Sequence, residues 1–536
     1  MTNNSPSVAK GEAFFVSVAR PERAKPDRPS EAIDPNEKHL RTDHLLADLK
    51  SRTVSGAFVT IITQGAQFIL NLISIMVLAR LLTPRDFGLY AMVTVMIGYL
   101  QVFKDAGLST ATVQREGITQ AQVSNLFWIN VGLSGAITLL LAACSPLVAW
   151  FYHESRLIGI TLALSATFLL NGLAVQHAAL LSRQMRFKAR AVIQVSSTLI
   201  GVALAIGMAL LGCKYWALVI SNLVTILTMT LFTWLAIPWR PQAPSRGSGV
   251  RPLLSFGAKM ASGGLMYQLA RGADGLLIGR YYGAGPLGLY SRAVALVARP
   301  MQQFMSPINS VFLPALSRIQ NQPKRYRRAF LQIYETMALA SCFVIGLLFA
   351  LARPVTLVVL GPKWEQTAII FAAFAASTVF VPPATVSTWL FASQGRGKEW
   401  LISSLLGSAI TVASFLIGLP FGPAGVAIAA SIIGATIGIP ALYYFAGRRG
   451  PVTTGDLWKG VLRYIPLWAV VCGSTYLARG FYPNAKPLMQ LLICAPVGII
   501  AGAILIWVLP PMRRVALGVL PILRELKFRR VLPNPD

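Results

Sequence analysis

The chain has 536 residues, of which 55% are hydrophobic and 12% charged, and its mean hydropathy is +0.60. A soluble protein carries about 25% charged residues, so the composition excludes an ordinary soluble protein. Lys and Arg outnumber Asp and Glu by 48 to 19, a formal charge of +29. In so apolar a chain this excess predicts contact with an anionic membrane lipid face and no contact with nucleic acid.

Residues 1–52 differ in composition from the rest of the chain. They hold nine Lys or Arg and eight Asp or Glu, with Pro, Ser and Asn between them. Such a segment cannot bury enough apolar surface to fold alone, and we predict a disordered cytoplasmic tail. The apolar run around Phe14 is too short for the core of a signal peptide, so the first membrane helix is expected to direct insertion.

Fourteen apolar stretches follow, each close to the length of about 20 residues that a membrane-spanning helix needs. They predict an all-α polytopic membrane protein. In the tenth stretch, Pro382 and Pro383 predict a kink or a break. The predicted helices cover residues 54–79, 87–103, 121–143, 157–180, 191–212, 215–239, 253–279, 287–313, 329–352, 366–393, 400–419, 423–446, 464–478 and 488–509.

The distribution of Lys and Arg predicts the orientation of these helices. If the N-terminus is cytoplasmic, the six inner connections carry twenty of the cations and the seven outer connections carry nine. Cytoplasmic connections of membrane proteins are enriched in Lys and Arg. We therefore expect both termini in the cytoplasm, and the basic segment 511–536 to form a cytoplasmic C-terminal tail.

A twelve-residue pattern occurs twice at an offset of 200 residues. Residues 79–90 and 279–290 share Arg, Gly, Leu and Tyr at identical spacing, each time between the first and second helix of a group. Because six helices separate the copies, both halves enter the membrane from the same side. This predicts two parallel six-helix lobes, although the motif could simply suit a hairpin. The predicted domains are residues 53–239 (first lobe), 240–252 (cytoplasmic linker), 253–446 (second lobe) and 447–510 (two further helices).

Four cations fall within predicted helices. Lys259 and Arg271 share one face of the seventh helix with Asp274, and Arg292 and Arg299 share one face of the eighth. Arg299 lies roughly 18 Å deep, where exposure to lipid would cost at least about 2.5–3.5 kcal/mol. These residues either form structural pairs, such as Arg271 with Asp274, or line a wet cavity that binds phosphate or acidic sugar.

The first helix carries an uncharged polar stripe at the same register. Gln64, Gln67 and Asn71 lie on it, and Asn71 corresponds to Arg271 at the offset of 200. We interpret the stripe as a set of contacts to sugar hydroxyls in the first lobe. Hydrogen bonding between helices remains an alternative, because amides form such bonds routinely in membrane bundles.

No residue pattern indicates a cofactor, a metal or an enzyme. The five cysteines are isolated and lie in or beside apolar stretches, without the spacing of metal ligands or disulfides. A membrane polysaccharide polymerase or acyltransferase would need a catalytic group on a sizeable outer loop. The outer connections are at most about a dozen residues long and carry no His–acid pairing, so we favour a transporter.

The stretch from Leu78 to Phe127 carries a family resemblance. It contains LARLLTPRDFGLYAM at the first hairpin, DAGLSTATVQR after the second helix and SNLF at the start of the third, continued by WIN. It resembles the N-terminal signature of polysaccharide exporters of the Wzx and succinoglycan-exporter type. These belong to the multidrug/oligosaccharidyl-lipid/polysaccharide superfamily, whose fold is two six-helix lobes plus two helices around a central cavity.

The resemblance implies a function as well as a fold. It implies translocation of undecaprenyl-pyrophosphate-linked oligosaccharide repeat units from the cytoplasmic to the periplasmic leaflet of the bacterial inner membrane by alternating access. Polymerase and chain-length or export proteins would be partners, and Asp274 could couple transport to protons. A cation-coupled multidrug exporter of the same superfamily is the alternative. It would need buried carboxylates in the first lobe, where helices one and three to six contain none.

Overall fold

The computed structural model describes residues 36, 40, 49–101, 109, 112–113, 117–245, 270 and 272–518. Every regular element within these ranges is helical. In the first lobe the α-helices are α1 (Leu49–Leu81), α2 (Pro84–Leu100), α3 (Gln120–Ala143), α4 (Ser145–Tyr152), α5 (Leu157–Arg183), α6 (Phe187–Leu210) and α7 (Trp216–Ala236).

The second lobe and the C-terminal part continue the series. They comprise α8 (272–282), α9 (Ala284–Arg318), α10 (Pro323–Ala350), α11 (Ala352–Val359), α12 (Thr367–Thr378), α13 (Val381–Ser393), α14 (Gly397–Gly418), α15 (Gly422–Ile433), α16 (Ile439–Gly447), α17 (Thr454–Leu462), α18 (Ile465–Phe481), α19 (Pro487–Val508) and α20 (510–518). A π-helix, Gly434–Gly438, joins α15 to α16.

Membrane-spanning helices account for most of this series. Within the described residues, nine helical stretches are long and apolar enough to cross a membrane, or ten when a bent pair is taken as one span. One of the nine runs from Gly397 to Gly447 but reverses at Gly422, whose φ is +77°, and so holds two antiparallel helices. The polytopic all-α class is confirmed, whereas the count of fourteen and the domain boundaries stay predictions.

Polar caps fix where several helices begin. Thr83 accepts a hydrogen bond from the backbone of Asp86, whose side chain in turn accepts one from the backbone of Thr83. Thr119 forms the same box with Gln122, and Thr453 with Asp456. Such reciprocal bonds satisfy backbone N–H groups that the first helical turn would leave without partners.

The break predicted at the two adjacent prolines is confirmed. The tenth predicted helix consists of α12 and α13, which meet at an angle of 43°. Pro382 and Pro383 lie in the first turn of α13, where the missing N–H of proline costs no intrahelical hydrogen bond. The short helices α4 and α11, which follow α3 and α10, are not distinguished by the sequence pattern because they continue apolar stretches.

Candidate functional site

The two repeated hairpins pack against each other across the lobe boundary. A Cβ atom at Gly88 would overlap the carbonyl of Ala284, and one at Gly288 would overlap the carbonyl of Pro84. These contacts are reciprocal, because the offset of 200 converts Gly88 into Gly288 and Pro84 into Ala284. The repeat therefore marks a pseudo-two-fold contact at what we call the hairpin end, the end that carries the turns at Thr83 and Gly283.

Two arginines of the same motif extend this contact. Arg80 of the first lobe donates a hydrogen bond to the carbonyl of Val358 in α11 (3.0 Å). Arg280 of the second lobe lies over the ring of Phe151 in α4, with its Cζ 5.8 Å from the ring centroid. Each arginine thus reaches the short helix of the opposite lobe, which gives α4 and α11 a common role in closing the hairpin end.

The structure places Arg292 in this closed contact. Its guanidinium carbon lies 4.8 Å from the centroid of the Phe87 ring, and Phe87 is buried and packs edge-on against Trp364 at 5.3 Å. A guanidinium over an aromatic face is attracted by the negative charge of that face. Arg292 therefore joins α9 of the second lobe to α2 of the first.

Asp274 lies close by and is held by hydroxyl and backbone donors. The hydroxyl of Tyr290 donates to one carboxylate oxygen (2.9 Å), and the backbone N–H of Gly275 donates to the other (2.7 Å). Next to this carboxylate, a Cβ at Gly272 would approach the Tyr99 hydroxyl to 2.8 Å. The acid thus lies where α2, α8 and α9 meet. Sequence reasoning missed Tyr290 as a partner, although the repeated motif ends on that residue.

The polar stripe of α1 makes bonds between helices. The amide of Gln67 donates to Thr198 (3.2 Å) and accepts from Gln194 (3.0 Å), both in α6. Asn71 donates to the carbonyl of Gln67 (2.8 Å), and Gln64 lies one turn before Gln67 with its side chain partly buried. The bonds of Gln67 to α6 support the interhelical alternative for that residue, whereas the bond of Asn71 lies within α1. The sugar-contact role of the stripe stays a prediction.

The structure does not describe the positions of the remaining cations of the predicted site. Lys259 and Arg271 lie outside the described residues, and so does the side chain of Arg299. Their roles stay predictions. In the part of the chain that the structure describes, no three His, Cys, Asp or Glu side chains converge as metal ligands would.

The start of α3 serves as a receptor for the segment that follows α7. This lobe-connecting segment, residues 237–245, crosses the end of the first lobe opposite to the hairpin end. Asn125 donates to the carbonyl of Ser245 (2.7 Å) and accepts from its backbone N–H (2.9 Å). Ser124 accepts from the backbone of Gln242, and Trp128 donates to its carbonyl. Residues 124–128, SNLFW, which belong to the stretch that carries the family resemblance, therefore form a docking site for the lobe-connecting segment.

Two residues of the N-terminal segment, Asn36 and Leu40, also contact this region. Asn36 accepts a hydrogen bond from the backbone of Arg240 (3.0 Å). The carbonyl of Leu40 accepts one from Arg183 (2.9 Å), and the Leu40 side chain is buried. The predicted disorder of residues 1–52 is untested by these two positions.

Comparison with known proteins agrees with this architecture. A family model described as "Polysaccharide biosynthesis protein" matches residues 77–369, more than half of the chain. The chain is 27% identical over 60% of its length to the teichuronic acid biosynthesis protein TuaB of Bacillus subtilis, of which it covers 66%, just under two thirds. It is 23% identical over 81% of its length to the succinoglycan biosynthesis transport protein ExoT of Rhizobium meliloti, of which it covers 84%.

A solved structure shows the fold. The lipid II flippase MurJ, in an inward closed conformation, superposes with a TM-score of 0.63 at 16% identity, over 84% of this chain and 98% of that one. At this identity the likeness concerns the fold alone. It agrees with the two-lobe architecture of the superfamily.

Proposed function

Since the chain belongs to the polysaccharide biosynthesis protein family, has several helices that can span a membrane and shares its fold with a lipid flippase, we propose that it is an exporter of the multidrug/oligosaccharidyl-lipid/polysaccharide superfamily and that it translocates a lipid-linked oligosaccharide. The proposed cargo is an undecaprenyl-pyrophosphate-linked repeat unit, moved from the cytoplasmic to the periplasmic leaflet of a bacterial inner membrane. No enzymatic step is part of this proposal.

The observation that carries the proposal is the reciprocal contact between Gly88 and Ala284 and between Gly288 and Pro84. Two repeated lobes that close on each other at one end and are joined by a short segment at the other can rock between a state in which this contact is made and a state in which it is broken. Such motion exposes the space between the lobes alternately to the two sides of the membrane. The lobe contacts described above lie toward the hairpin end, so we infer a cavity that opens toward the opposite end.

Charge supports the direction of this opening. The end opposite to the hairpins carries the basic connections, including Lys188, Lys324 and Arg328, which the positive-inside rule assigns to the cytoplasm. Both chain termini are then cytoplasmic, and the basic connections face anionic lipid. In this orientation we infer that the closed hairpin end belongs to an inward-facing state, which would accept substrate from the cytoplasmic leaflet.

The proposed mechanism assigns roles to the intramembrane charges. Arg299, with Lys259 and Arg271, would hold the pyrophosphate, because guanidinium groups form two parallel hydrogen bonds to phosphate oxygens. Asp274 would couple lobe motion to a proton, since it is held by Tyr290 beside the lobe contact (2.9 Å). Polymerase and chain-length or export proteins are the proposed partners that consume the translocated unit.

Deleting the gene tests the proposal in the host. We expect the lipid-linked oligosaccharide to accumulate in the cytoplasmic leaflet and the exported polymer to disappear. Extracted lipid-linked intermediates, measured by mass spectrometry, and surface polymer provide the two readouts. Reintroducing the wild-type gene should restore both.

Complementation with matched glycine variants connects this test to the structure. Gly288→Ala should fail to restore export because its Cβ overlaps the Pro84 carbonyl, whereas Gly285→Ala should succeed because a Cβ there has no atom within 4 Å. Unchanged polymer and unchanged intermediates in the deletion strain would refute the proposal. Hypersensitivity to cationic drugs in place of polymer loss would identify a multidrug exporter.

A further inference from the structure

Two irregular elements of the second lobe border cavities of its interior. One is the break between α12 and α13, and the other is the π-helix Gly434–Gly438. Broken helices at membrane depth often flank substrate sites in transporters, and π-helical turns are frequent at functional sites. Neither element is explained by the lobe contact, which lies at the hairpin end.

The first cavity lies between α9 and the broken helix. Its volume is about 600 Å³, within the range of about 300–1,000 Å³ typical of small-molecule sites. Apolar side chains, including Met301, Met305 and Phe374, form most of its wall. Four uncharged polar residues also line it, namely Gln302, Asn309, Thr378 and Thr385.

These four residues form two pairs. Gln302 and Asn309 are seven residues apart on α9, and Thr378 and Thr385 are seven apart on the two sides of the break. The threonine hydroxyls donate to the carbonyls of Phe374 (2.7 Å) and Val381 (2.9 Å), which leaves their oxygens as acceptors toward the cavity. The amides can both donate and accept. Together they offer the mixed donors and acceptors that sugar hydroxyls require.

A second cavity of about 530 Å³ lies on the other side of the break and shares Val381 with the first. Hydroxyl groups of α14 line it, among them Ser403, Ser408 and Thr411, and so does the π-helix through Gly434 and Gly438. None of the described residues that line either cavity is charged. The two spaces together extend across α12 and α13 a mainly apolar, uncharged surface that carries hydroxyl and amide groups at intervals.

We propose that the cavity lined by Gln302, Asn309, Thr378 and Thr385, together with its neighbour across Val381, binds uncharged sugar units of the transported molecule. This inference rests on the proposed function and assigns a site to the glycan part of the cargo. Arg299 precedes Gln302 by three residues on α9, one helical turn. The pyrophosphate and the first sugars would therefore bind consecutive turns of one helix.

Binding measurements on the purified full-length protein test the assignment. The probes are oligosaccharides released by hydrolysis from the host's own exported polysaccharide and, separately, inorganic pyrophosphate. Changing Gln302 and Asn309 together to Leu keeps the approximate volume and removes two hydrogen-bonding groups. We expect about tenfold weaker oligosaccharide binding and unchanged pyrophosphate binding. The control Gln332→Leu makes the same change at an exposed position of α10 and should bind both probes as the wild type does.

A second variant keeps the test decisive if the double variant does not fold. Val381→Trp places a bulky ring where the two cavities meet, at a side chain that is 46% exposed, and should block the oligosaccharide while sparing pyrophosphate. Unchanged oligosaccharide affinity in both variants would overturn the assignment. So would equal loss of both probes, or a wild-type protein that binds no oligosaccharide. If the deletion strain nevertheless loses polymer, the transport function stands and only the sugar site fails.

Discussion

A cation inside a membrane span can bind the substrate or can stabilise the fold, and the contacts of Arg292 distinguish these two roles. Its sequence position, two turns before Arg299 on the same face of an apolar helix, suits a cavity wall. Its place over Phe87 of the opposite lobe instead suits a contact that both lobes lose when the hairpin end opens. The spacing of residues along a helix shows which of them lie on the same helix face. Which other helix packs against that face depends on contacts between distant segments of the chain.

The energetic coupling of Arg292 and Phe87 can be measured directly. We expect Arg292→Met and Phe87→Leu each to lower the midpoint of thermal unfolding in detergent. A guanidinium–aromatic contact contributes about 0.5–2 kcal/mol, so the double variant should lose less than the sum of the two single losses. Phe87→Leu with Met92→Leu is the comparison pair, since Met92 occupies the position that matches Arg292 at the offset of 200. Strict additivity for Arg292 and Phe87 would contradict the contact.

The sequence indicates that the glycines of the repeated motif correspond to each other, but it does not reveal the backbone contact that requires them. The sequence shows that Gly88 and Gly288 correspond. It cannot show that each lies against the backbone of the other hairpin, because that contact joins segments 200 residues apart. Similarly, the stripe of Gln67 and Asn71 is evident from the sequence, whereas the partners of Gln67 in α6 follow from the packing of α1 against α6.

At the scale of helices, apolar length and proline position predict most boundaries. The third predicted helix, residues 121–143, is observed as Gln120–Ala143, and the break in the tenth lies where the prolines indicate. The short helices α4 and α11 are missed, because hydropathy alone does not reveal a turn inside an apolar stretch. Helix α17 is missed because it lies in a connection that carries Asp456 and Lys459. The docking role of the start of α3 is also hidden, since its partner lies more than 110 residues away along the chain.

That docking site yields a prediction about the lobe-connecting segment. Asn125→Ala removes two hydrogen bonds to Ser245, and bonds of this kind contribute about 1–3 kcal/mol together. We expect backbone amide exchange in residues 239–245 to accelerate by about tenfold or more, as measured by hydrogen–deuterium exchange mass spectrometry. The control Ser196→Ala alters a hydroxyl that donates within its own helix and should leave the segment protected. Equal exchange in both variants would show that Asn125 does not hold the segment.

For the whole molecule, the charge of +29 resolves into separate roles. Most membrane-region cations lie in connections opposite to the hairpin end, where they predict topology and contact with anionic lipid. Arg80, Arg280 and Arg292 instead take part in closing the hairpin end. Composition and hydropathy therefore predict a membrane protein and its orientation, while the closed state depends on contacts that no local pattern contains.

Rocking of the two lobes predicts opposite distance changes at the two ends of the molecule. Spin labels at Leu211 and Phe421, both highly exposed at the hairpin end, should move apart in Gly288→Ala, because the added Cβ overlaps the Pro84 carbonyl. Labels at the exposed Lys188 and Lys398 of the opposite end should approach each other in the same variant.

The control variant Gly285→Ala should change neither distance. Electron–electron double resonance measures both pairs. Separation at both ends would mean that the lobes dissociate, and no change at either end would mean that this glycine contact does not hold the inward-facing state.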